Sequence, residues 1–426
     1  MFQTLINAWK IPDLRKKILF TILLLIVFRF GSIIPVPGLD KAALQALAGD
    51  PNSLFGFFDT ISGGAFGNAT IFAMSITPYI NSSIIMNLLT VAIPALERLA
   101  KEGEEGRKKI AQYTRYGTVI LGFIQAAGLY AALQSSVTNP GFLSFATITL
   151  TFTAGTAFLM WLGEKITEKG IGNGISLLIF IGIVSRGGTA VQSIISYLQG
   201  EYFSFWSIAS IILLLILAII VIGFVVTIND GERRIPVQYA KRVVGRKMYG
   251  GQSTYVPLKV AMAGVIPIIF AMSILSFPPT IARLFTTQPA PGTFWYGFLQ
   301  LFQMDSWFYG IVYFLLIIFF TYFYTSIQFN PVEMANNMKK NGGFVPGIRP
   351  GKPTSDYIAK VLSKVTLIGA VALGVIAVLP IALNGISGMQ IGLGGTSILI
   401  VVSVALETVK QLESQMLMRH YKGFLE

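Results

Sequence analysis

The sequence predicts an all-α polytopic membrane protein, and three observations lead to that fold class. The 426 residues are 54% hydrophobic and only 12% charged, which lies outside the usual range of soluble globular domains. Apolar windows of about 20 residues, the length of a membrane-spanning helix, recur along the whole chain. The basic residues cluster in alternate segments between these windows, as expected for a multi-pass protein.

Ten windows fit membrane-spanning helices. The first, residues 18–34, follows four basic residues, as in a signal peptide. Pro35 and Pro37 follow it without a small-residue cleavage site, so we expect it to be retained. The other nine lie near residues 71–92, 117–134, 146–163, 175–195, 207–228, 260–278, 308–328, 365–384 and 396–412.

The distribution of charge predicts the orientation of the chain. Of 32 lysines and arginines, 28 lie in the two terminal segments and in alternate loops, and the other four are Arg29, Lys41, Arg186 and Arg283. Basic loops stay on the cytoplasmic side of a membrane. We therefore expect both termini and the basic loops to be cytoplasmic.

Ten spans divide into two halves of five, residues 1–200 and 201–426. An odd number of spans in each half gives the second half the opposite orientation, which permits an inverted repeat with a functional path between the halves. The two halves show no convincing sequence identity, so this repeat is predicted from topology alone.

Residues 54–67 are apolar but form a poor spanning helix, because they contain Asp59 and four glycines. Irregular backbone at membrane depth is tolerated only where protein or a water-filled cavity surrounds it. We expect this segment to be half-inserted, with residues 71–92 forming a wall helix beside it.

Enzymatic chemistry is not indicated. The chain has no cysteine and a single histidine, His420, and it lacks the common hydrolase, zinc-protease and phosphate-loop motifs. We predict no catalytic residue, no metal and no cofactor. Arg29 is the clearest charge within a span, and we expect it to snorkel to the interface or to contact an internal carbonyl group.

Two cytoplasmic loops are unusual in size and composition. Residues 229–259 carry seven basic residues interleaved with apolar ones, and their tip has the pattern of a short hairpin. Residues 329–364 are rich in Gly and Pro, which predicts an extended, protruding loop. The loops are either solvated orientation signals or a docking surface for a large anionic partner, such as ribosomal RNA or an acidic protein groove.

Five strings closely resemble the SecY family, the channel subunits of the Sec protein translocon. They are FRFGSIIPVPG (28–38), SGGAFGNATIFAMSITPYINSSIIMNLL (62–89), EGEEGRKKIAQYTRYGT (102–118), MWLGEKITEKGIGNGIS (160–176) and GFVPGIRPGKPT (343–354). The resemblance runs along the whole chain. It implies ten transmembrane helices in two inverted five-helix halves around a central pore with a plug helix.

The resemblance also implies four sets of site residues. The plug that closes the resting channel comprises Phe55, Gly56, Phe57, Phe58, Asp59, Thr60, Ile61, Ser62, Gly63, Gly64, Ala65, Phe66 and Gly67. The pore ring comprises Ile76, Ile80, Ile175, Ile179, Ile269 and Ile400. Asn81, Gln125 and Ser273 line the lateral gate, the seam between spans two and three and spans seven and eight. Arg242, Arg246, Lys247 and Arg349 dock a cytoplasmic partner.

The function implied is a channel that passes unfolded secretory proteins across the bacterial cytoplasmic membrane and releases apolar segments into lipid. An apolar ring can block hydrated ions by dewetting, although isoleucines in a spanning helix also simply pack or face lipid. The implied partners are SecE-like and SecG-like subunits, a SecA-type motor ATPase, the ribosome, signal peptides, unfolded preproteins and membrane lipids. The alternative is an inverted-repeat secondary transporter of a small solute.

Overall fold

The computed structural model of the chain describes residues 2–49, 56, 59–60, 62–188, 191–192, 195, 205–239, 242–244, 247–249, 253–285, 292–303, 306–387 and 395–422.

The described residues are mainly α-helical, and we number the helices in chain order. Their bounds are α1 Phe2–Lys10, α2 Pro12–Gly31, α3 Lys41–Ala48, α4 Thr77–Ala92, α5 Pro94–Lys101, α6 Glu104–Ala132, α7 Phe142–Lys169, α8 Gly174–Ser185, α9 Phe205–Asp230, α10 Ile266–Phe285, α11 Phe294–Leu301, α12 Trp307–Gln328, α13 Pro331–Lys340, α14 Lys352–Ser387 and α15 Gly395–Lys422. A helix overlaps each of the ten apolar windows, although α8 has only 12 residues.

Several of these helices have the length and composition of membrane spans. Within the described ranges, three qualify alone, namely Phe142–Lys169, Trp307–Lys340 and Lys352–Leu379. A fourth candidate is the pair α4 and α5, which bends by 100° at Ile93. Large apolar side chains on the outer faces are exposed, among them Phe30 and Ile219, as expected for surfaces in contact with lipid. The chain is a multi-pass membrane protein.

The wall helix predicted over residues 71–92 begins later than expected. Residues 71–76 form turns, Ser75 has a φ of +52°, and α4 starts at Thr77 with Pro78 in its first turn. Proline is favoured there because the first helical N–H groups have no intrahelical acceptor. The N-terminal boundary of the prediction was therefore wrong by six residues.

Helix α8 is shorter than the window at residues 175–195. Its start is capped by Asn173, whose Oδ1 accepts hydrogen bonds from the backbone N–H groups of Ile175 and Ser176 at 3.1 and 3.3 Å. The helix ends at Ser185, and Arg186 follows directly. This end brings Ser185 and Arg186 to the segment that precedes α4.

The prediction of an extended loop over residues 329–364 was wrong for most of its length. Helix α13 begins after Asn330, whose Oδ1 accepts from the N–H groups of Val332 and Glu333. Asparagine as N-cap followed by Pro331 is a helix-start signal. Helix α14 begins at Lys352, well before the predicted span. Irregular backbone remains near residues 341–351, apart from a two-residue strand.

The two basic loops, residues 229–259 and 329–364, join into one small unit. Strands β1 (Glu232–Tyr239) and β4 (Ser253–Lys259) are antiparallel, and β5 (Gly343–Phe344) of the second loop pairs with the end of β1. Strands β2 (Arg242–Val244) and β3 (Lys247–Tyr249) form the hairpin predicted at the tip. A separate apolar core holds the unit together, formed by Ile235, Val237, Leu258, Met338, Val345 and Ile358.

The main core lies between the helices of the two predicted halves. Helix α10 packs against α4 and α6 on one side of the bundle, and α8 packs against α15 on another. Helices α12 and α14 pack closely within the second half, and α2 packs on α7 within the first. This arrangement positions the residues described next.

Candidate functional site

The six isoleucines of the predicted pore ring belong to the same buried apolar cluster. They come from four places in the chain: the start of α4, α8, α10 and α15. Five of them are at most 9% exposed, and Ile175 is half-buried against the same cluster. The cluster therefore joins helices of both predicted halves through apolar contacts.

The predicted gate residues lie on helices that pack against one another. Asn81 on α4 and Ser273 on α10 are buried, and Gln125 on α6 is half-buried. Helix α10 contacts α4, α6 and α12. The three polar side chains thus lie on helices that contact one another.

A hydrogen bond that was not predicted from the sequence joins α4 and α12. Asn87 on α4 donates from Nδ2 to the hydroxyl oxygen of Tyr324 on α12 at 3.0 Å. The Tyr324 ring also packs edge-on against Phe270 of α10, with ring centroids 5.1 Å apart. One aromatic side chain therefore contacts two other helices. The one sequence signal for this contact was the Asn87 amide, which lies between apolar residues of α4.

The predicted plug is described only in part. Phe55, Phe57, Phe58 and Ile61 lie outside the described residues. Helical backbone is present at Gly56, Asp59 and Thr60, and the chain from Ser62 to Ile76 runs through turns and an isolated bridge. Most of this stretch is buried; Ala65 and Phe66, for example, have no exposed surface.

An acidic side chain anchors this segment. The Asp59 carboxylate is 5% exposed and pairs with Arg186, with 2.8 Å between Oδ2 and Nη1. Its other oxygen accepts a hydrogen bond from the Gly67 N–H at 2.7 Å. Arg186 also donates to the hydroxyl of Thr60 at 3.3 Å. Asp59 therefore connects the loop within itself and to the end of α8.

A second arginine holds the same segment from another helix. Arg29 on α2 donates from Nη1 to the Gly63 carbonyl oxygen at 3.1 Å and to the Ser185 hydroxyl at 3.2 Å. The internal carbonyl contact expected for Arg29 is thereby confirmed. The contact between Arg186 and Asp59 was not predicted, because the two residues are 127 positions apart in the sequence. Only folding brings them together.

Gly63 permits a close approach to α8. Its φ is +69°, a backbone conformation that favours glycine. A Cβ atom at this position would lie 2.7 Å from Ser185 Oγ and 2.8 Å from the Gly182 carbonyl oxygen. The segment lies directly on α8 because residue 63 has no side chain.

The return from this segment to α4 is held by backbone hydrogen bonds. The Val36 N–H donates to the Ala69 carbonyl at 2.7 Å, and the Ile71 N–H donates to the Ile34 carbonyl at 3.1 Å. Ala69 has a φ of +55°. A non-glycine residue adopts this conformation at a cost of about 1–3 kcal/mol and keeps it only where the surroundings determine it.

The structure describes three of the four predicted docking residues. Arg349 is exposed between α13 and α14, and its carbonyl accepts from the Thr354 hydroxyl at 2.8 Å. Arg242 and Lys247 lie on strands β2 and β3, and Arg246 lies outside the described residues. Nearby, Arg234 pairs with Glu232 and stands over the Tyr255 ring at 4.7 Å. The Glu232 carboxylate raises the pKa of Arg234, which therefore stays charged.

These features define a class of protein. Apolar helices surround a buried apolar centre, and a largely buried irregular segment lies between them. The arrangement is that of a helical multi-pass membrane protein, and the sequence lacks the motifs of bond-breaking chemistry.

Comparison with known proteins identifies the family. The SecY family model matches residues 70–409. The chain is 49% identical over 436 aligned positions to the protein translocase subunit SecY of Halalkalibacterium halodurans, covering all of both chains. It is 45% identical to that of Thermotoga maritima, covering all of this chain and 98% of the relative. The chain belongs to the SecY family, which consists of channel subunits and not of enzymes.

Solved structures agree with the fold. A chain described as "The structure of a protein conducting channel" aligns with a TM-score of 0.66, covering 94% of this chain and 92% of that one at 20% identity. Sec61 in the canine ribosome-channel complex aligns with a TM-score of 0.64, with the same coverage and identity. At this identity the likeness shows the fold. The small-solute transporter alternative is not favoured.

The close contact at Gly63 yields a first prediction. We expect Gly63→Ala to displace the segment from α8, because the new methyl group meets backbone atoms and L-residues disfavour the φ of +69°. A cysteine introduced at Ser62, which is buried, should then react faster with a water-soluble maleimide. Gly38→Ala is the control, because its φ is +88° but open space surrounds it. Equal labelling rates with and without Gly63→Ala would contradict the close packing.

Proposed function

We propose that this chain is the protein-conducting channel of a bacterial cytoplasmic membrane, with ten spans in two inverted halves, residues 1–200 and 201–426. It passes unfolded preproteins outward and releases apolar segments sideways into lipid. Both termini and the unit formed by β1–β5, α13 and the start of α14 face the cytoplasm. The positive charge of the terminal segments and alternate loops supports this orientation.

The observation that carries the proposal is that six isoleucines from four helices meet in one apolar cluster, five of them buried and Ile175 half-buried against it. A conduit wide enough for a polypeptide would also leak ions. An apolar constriction blocks hydrated ions by dewetting, and it offers a passing chain no hydrogen-bonding group. Ile76, Ile80, Ile175, Ile179, Ile269 and Ile400 form this pore ring.

The plug and the gate complete the closed state. Residues 55–67 act as the plug, since their described part is buried and held by side chains of α2 and α8 and by Arg186. Asn81, Gln125 and Ser273, together with Asn87 and Tyr324, line the lateral gate. Interhelical hydrogen bonds in membranes contribute only about 0.6–2 kcal/mol each, so an arriving apolar segment can replace such contacts.

The chain offers two kinds of surface for binding partners, one basic and one apolar. The exposed Arg349 and the basic β2–β3 hairpin, with Arg242, Arg246 and Lys247, form the docking surface for a SecA-type motor ATPase or the ribosome. The chain performs no bond chemistry, so a motor, chain elongation or the membrane potential supplies the energy. The exposed apolar faces of α2 and α9 are open to lipid and to SecE-like and SecG-like subunits.

Polar substitution of the ring tests the channel itself. Ile80→Asn, Ile269→Asn or Ile400→Asn should hydrate the constriction, raise the resting ion conductance and let precursors with defective signal sequences through. Planar-bilayer recording and export of a signal-defective reporter measure both effects. Ile219→Asn, on the exposed face of α9, is the control. Wild-type conductance and export in all three ring variants would refute the constriction.

The gate is tested by removing one hydroxyl group. Tyr324→Phe keeps the aromatic ring but deletes the acceptor of the Asn87 amide, so a less hydrophobic signal sequence should suffice to open the seam. Export is measured for signals of graded hydrophobicity. Tyr322→Phe makes the same change on the same helix, where the hydroxyl donates to the Ser363 carbonyl on α14, and it should leave the threshold unchanged. A shift of equal size in both variants would argue against a gate role.

Charge reversal tests the docking surface. Arg349→Glu removes a planar donor and introduces repulsion toward an acidic partner, so it should weaken binding of the motor or ribosome. Binding by wild type should also weaken with salt, since exposed charges are screened over about 8 Å at physiological ionic strength. Affinity is measured for channels in nanodiscs across a salt series. Lys41→Glu, an exposed base in the outer segment, is the control, and equal affinities of wild type and Arg349→Glu would exclude docking at Arg349.

A further inference from the structure

We infer that Asp59 and Arg186, assisted by Arg29, form an electrostatic latch that holds the plug in its closed position. This inference rests on the proposed function of residues 55–67 as the plug. We use "the latch" for these three side chains only. Asp59 and Arg186 are positioning residues, because they act on the plug and not on the translocating chain.

The latch contacts the plug at two separate points. Arg186 binds the Asp59 carboxylate, and Arg29 binds the Gly63 carbonyl oxygen four residues further along. The arginines approach from different elements, one from α2 and the other from the end of α8. Ser185 links the two points, since its hydroxyl accepts from Arg29 and lies 3.4 Å from the same Gly63 carbonyl oxygen. Two attachments restrict both translation and rotation of the segment.

The acid of the latch, Asp59, is more deeply buried than its partner Arg186. The Asp59 side chain is 5% exposed, whereas that of Arg186 is 31% exposed. A buried carboxylate is strongly disfavoured without its counterion. The plug can therefore leave Arg186 only when Asp59 also leaves its buried site and becomes hydrated. The ion pair thus links the position of the plug to the end of α8.

Basic residues are scarce outside the predicted cytoplasmic segments. Only four of the 32 basic residues lie outside the predicted cytoplasmic segments. Arg29 and Arg186 are two of these four, and both contact the plug segment. The positive-inside pattern would be stronger without them. Their contacts with a single short segment supply the reason for their presence.

The consequence is a threshold for opening. A passing chain that displaces the plug must separate Asp59 from Arg186 and the Gly63 carbonyl from Arg29. Without the ion pair, the plug should leave its site spontaneously more often. The resting channel should then leak ions and accept signal sequences that the wild type rejects.

The test is a double-mutant cycle on the resting channel. Asp59→Asn preserves the shape and the acceptor for the Gly67 N–H but removes the charge, and Arg186→Gln removes the partner. Each single change should raise the resting conductance in planar bilayers and the export of a signal-defective reporter, by about ten-fold. The double variant should leak no more than the worse single variant, because one interaction is lost in all three.

Matched variants separate the charge pair from a general loss of structure. Arg186→Lys keeps the positive charge and should stay within about two-fold of wild type. Asp40→Asn makes the same chemical change at an exposed acid that caps α3, and it should have no effect. Folding of every variant is checked by size exclusion in detergent. If Asp59→Asn does not accumulate, Arg186→Gln compared with Arg186→Lys decides the question at the partly exposed partner.

Failure of the latch differs from failure of the plug assignment. Deletion of residues 56–67 should itself raise the resting conductance. If the deletion leaks but Asp59→Asn and Arg186→Gln do not, the latch is wrong and the plug stands. If the double variant leaks by the product of the single effects, the two residues act independently and the latch is also wrong. If the deletion changes neither conductance nor export, the plug assignment fails and the latch fails with it.

Discussion

The rest of the structure depends on one constraint, which is that irregular backbone buried among apolar helices must find hydrogen-bond partners. Unpaired N–H and C=O groups in an apolar environment cost several kcal/mol each. The chain between Asp59 and Ile76 is largely such backbone. Arg29, Asp59 and the backbone near Val36 supply partners for part of it. These contacts let a segment that cannot be a spanning helix lie within the bundle.

The need for hydrogen-bond partners also explains the polar side chains in and around the segment between Asp59 and Ile76. A continuous helix would satisfy its own backbone and would need neither Asp59 nor Arg186. An irregular segment instead needs hydrogen-bond partners on other elements of the fold. The glycines serve this arrangement directly, since Gly63 brings its carbonyl group within reach of Arg29 and lies against Gly182. The contacts of this segment are therefore made largely by side chains of other elements and not by an intrahelical hydrogen-bond ladder.

The unit formed by the two basic loops follows a different physical logic. There the backbone is close to water, and the two basic loops could have remained independent. Instead β5 pairs with β1, and Ile235, Met338 and Ile358 share one apolar core. This pairing holds the exposed Arg349 and the β2–β3 hairpin on a common support. A docking surface gains from such a support, because fewer side chains must be ordered when a partner binds.

The sequence by itself determined the class of the protein and much of its organisation. Composition and the spacing of apolar windows indicated a multi-pass helical protein, and five strings along the chain indicated the SecY family. These signals are local, since each depends on residues within one window of about 20 positions. The hairpin within residues 229–259 was predictable for the same reason. The extended loop predicted over residues 329–364 was wrong because Gly and Pro were given more weight than the helix-start signal at Asn330 and Pro331.

Only the tertiary structure decided which polar groups meet. Asp59 and Arg186, Asn87 and Tyr324, and strands β1 and β5 are far apart in the sequence, and nothing in their neighbourhoods specifies the partner. The N-terminal end of α4 was likewise decided by the turn through Ala69 and Ser75, whose positive φ values depend on contacts with residues 34–36 and 156. Hydrogen bonds and ion pairs act over about 3 Å, so they are selected by helix packing and not by local composition. The sequence therefore indicated what kind of channel subunit this is, and the packing of its helices decided which polar groups meet around the irregular segment before α4.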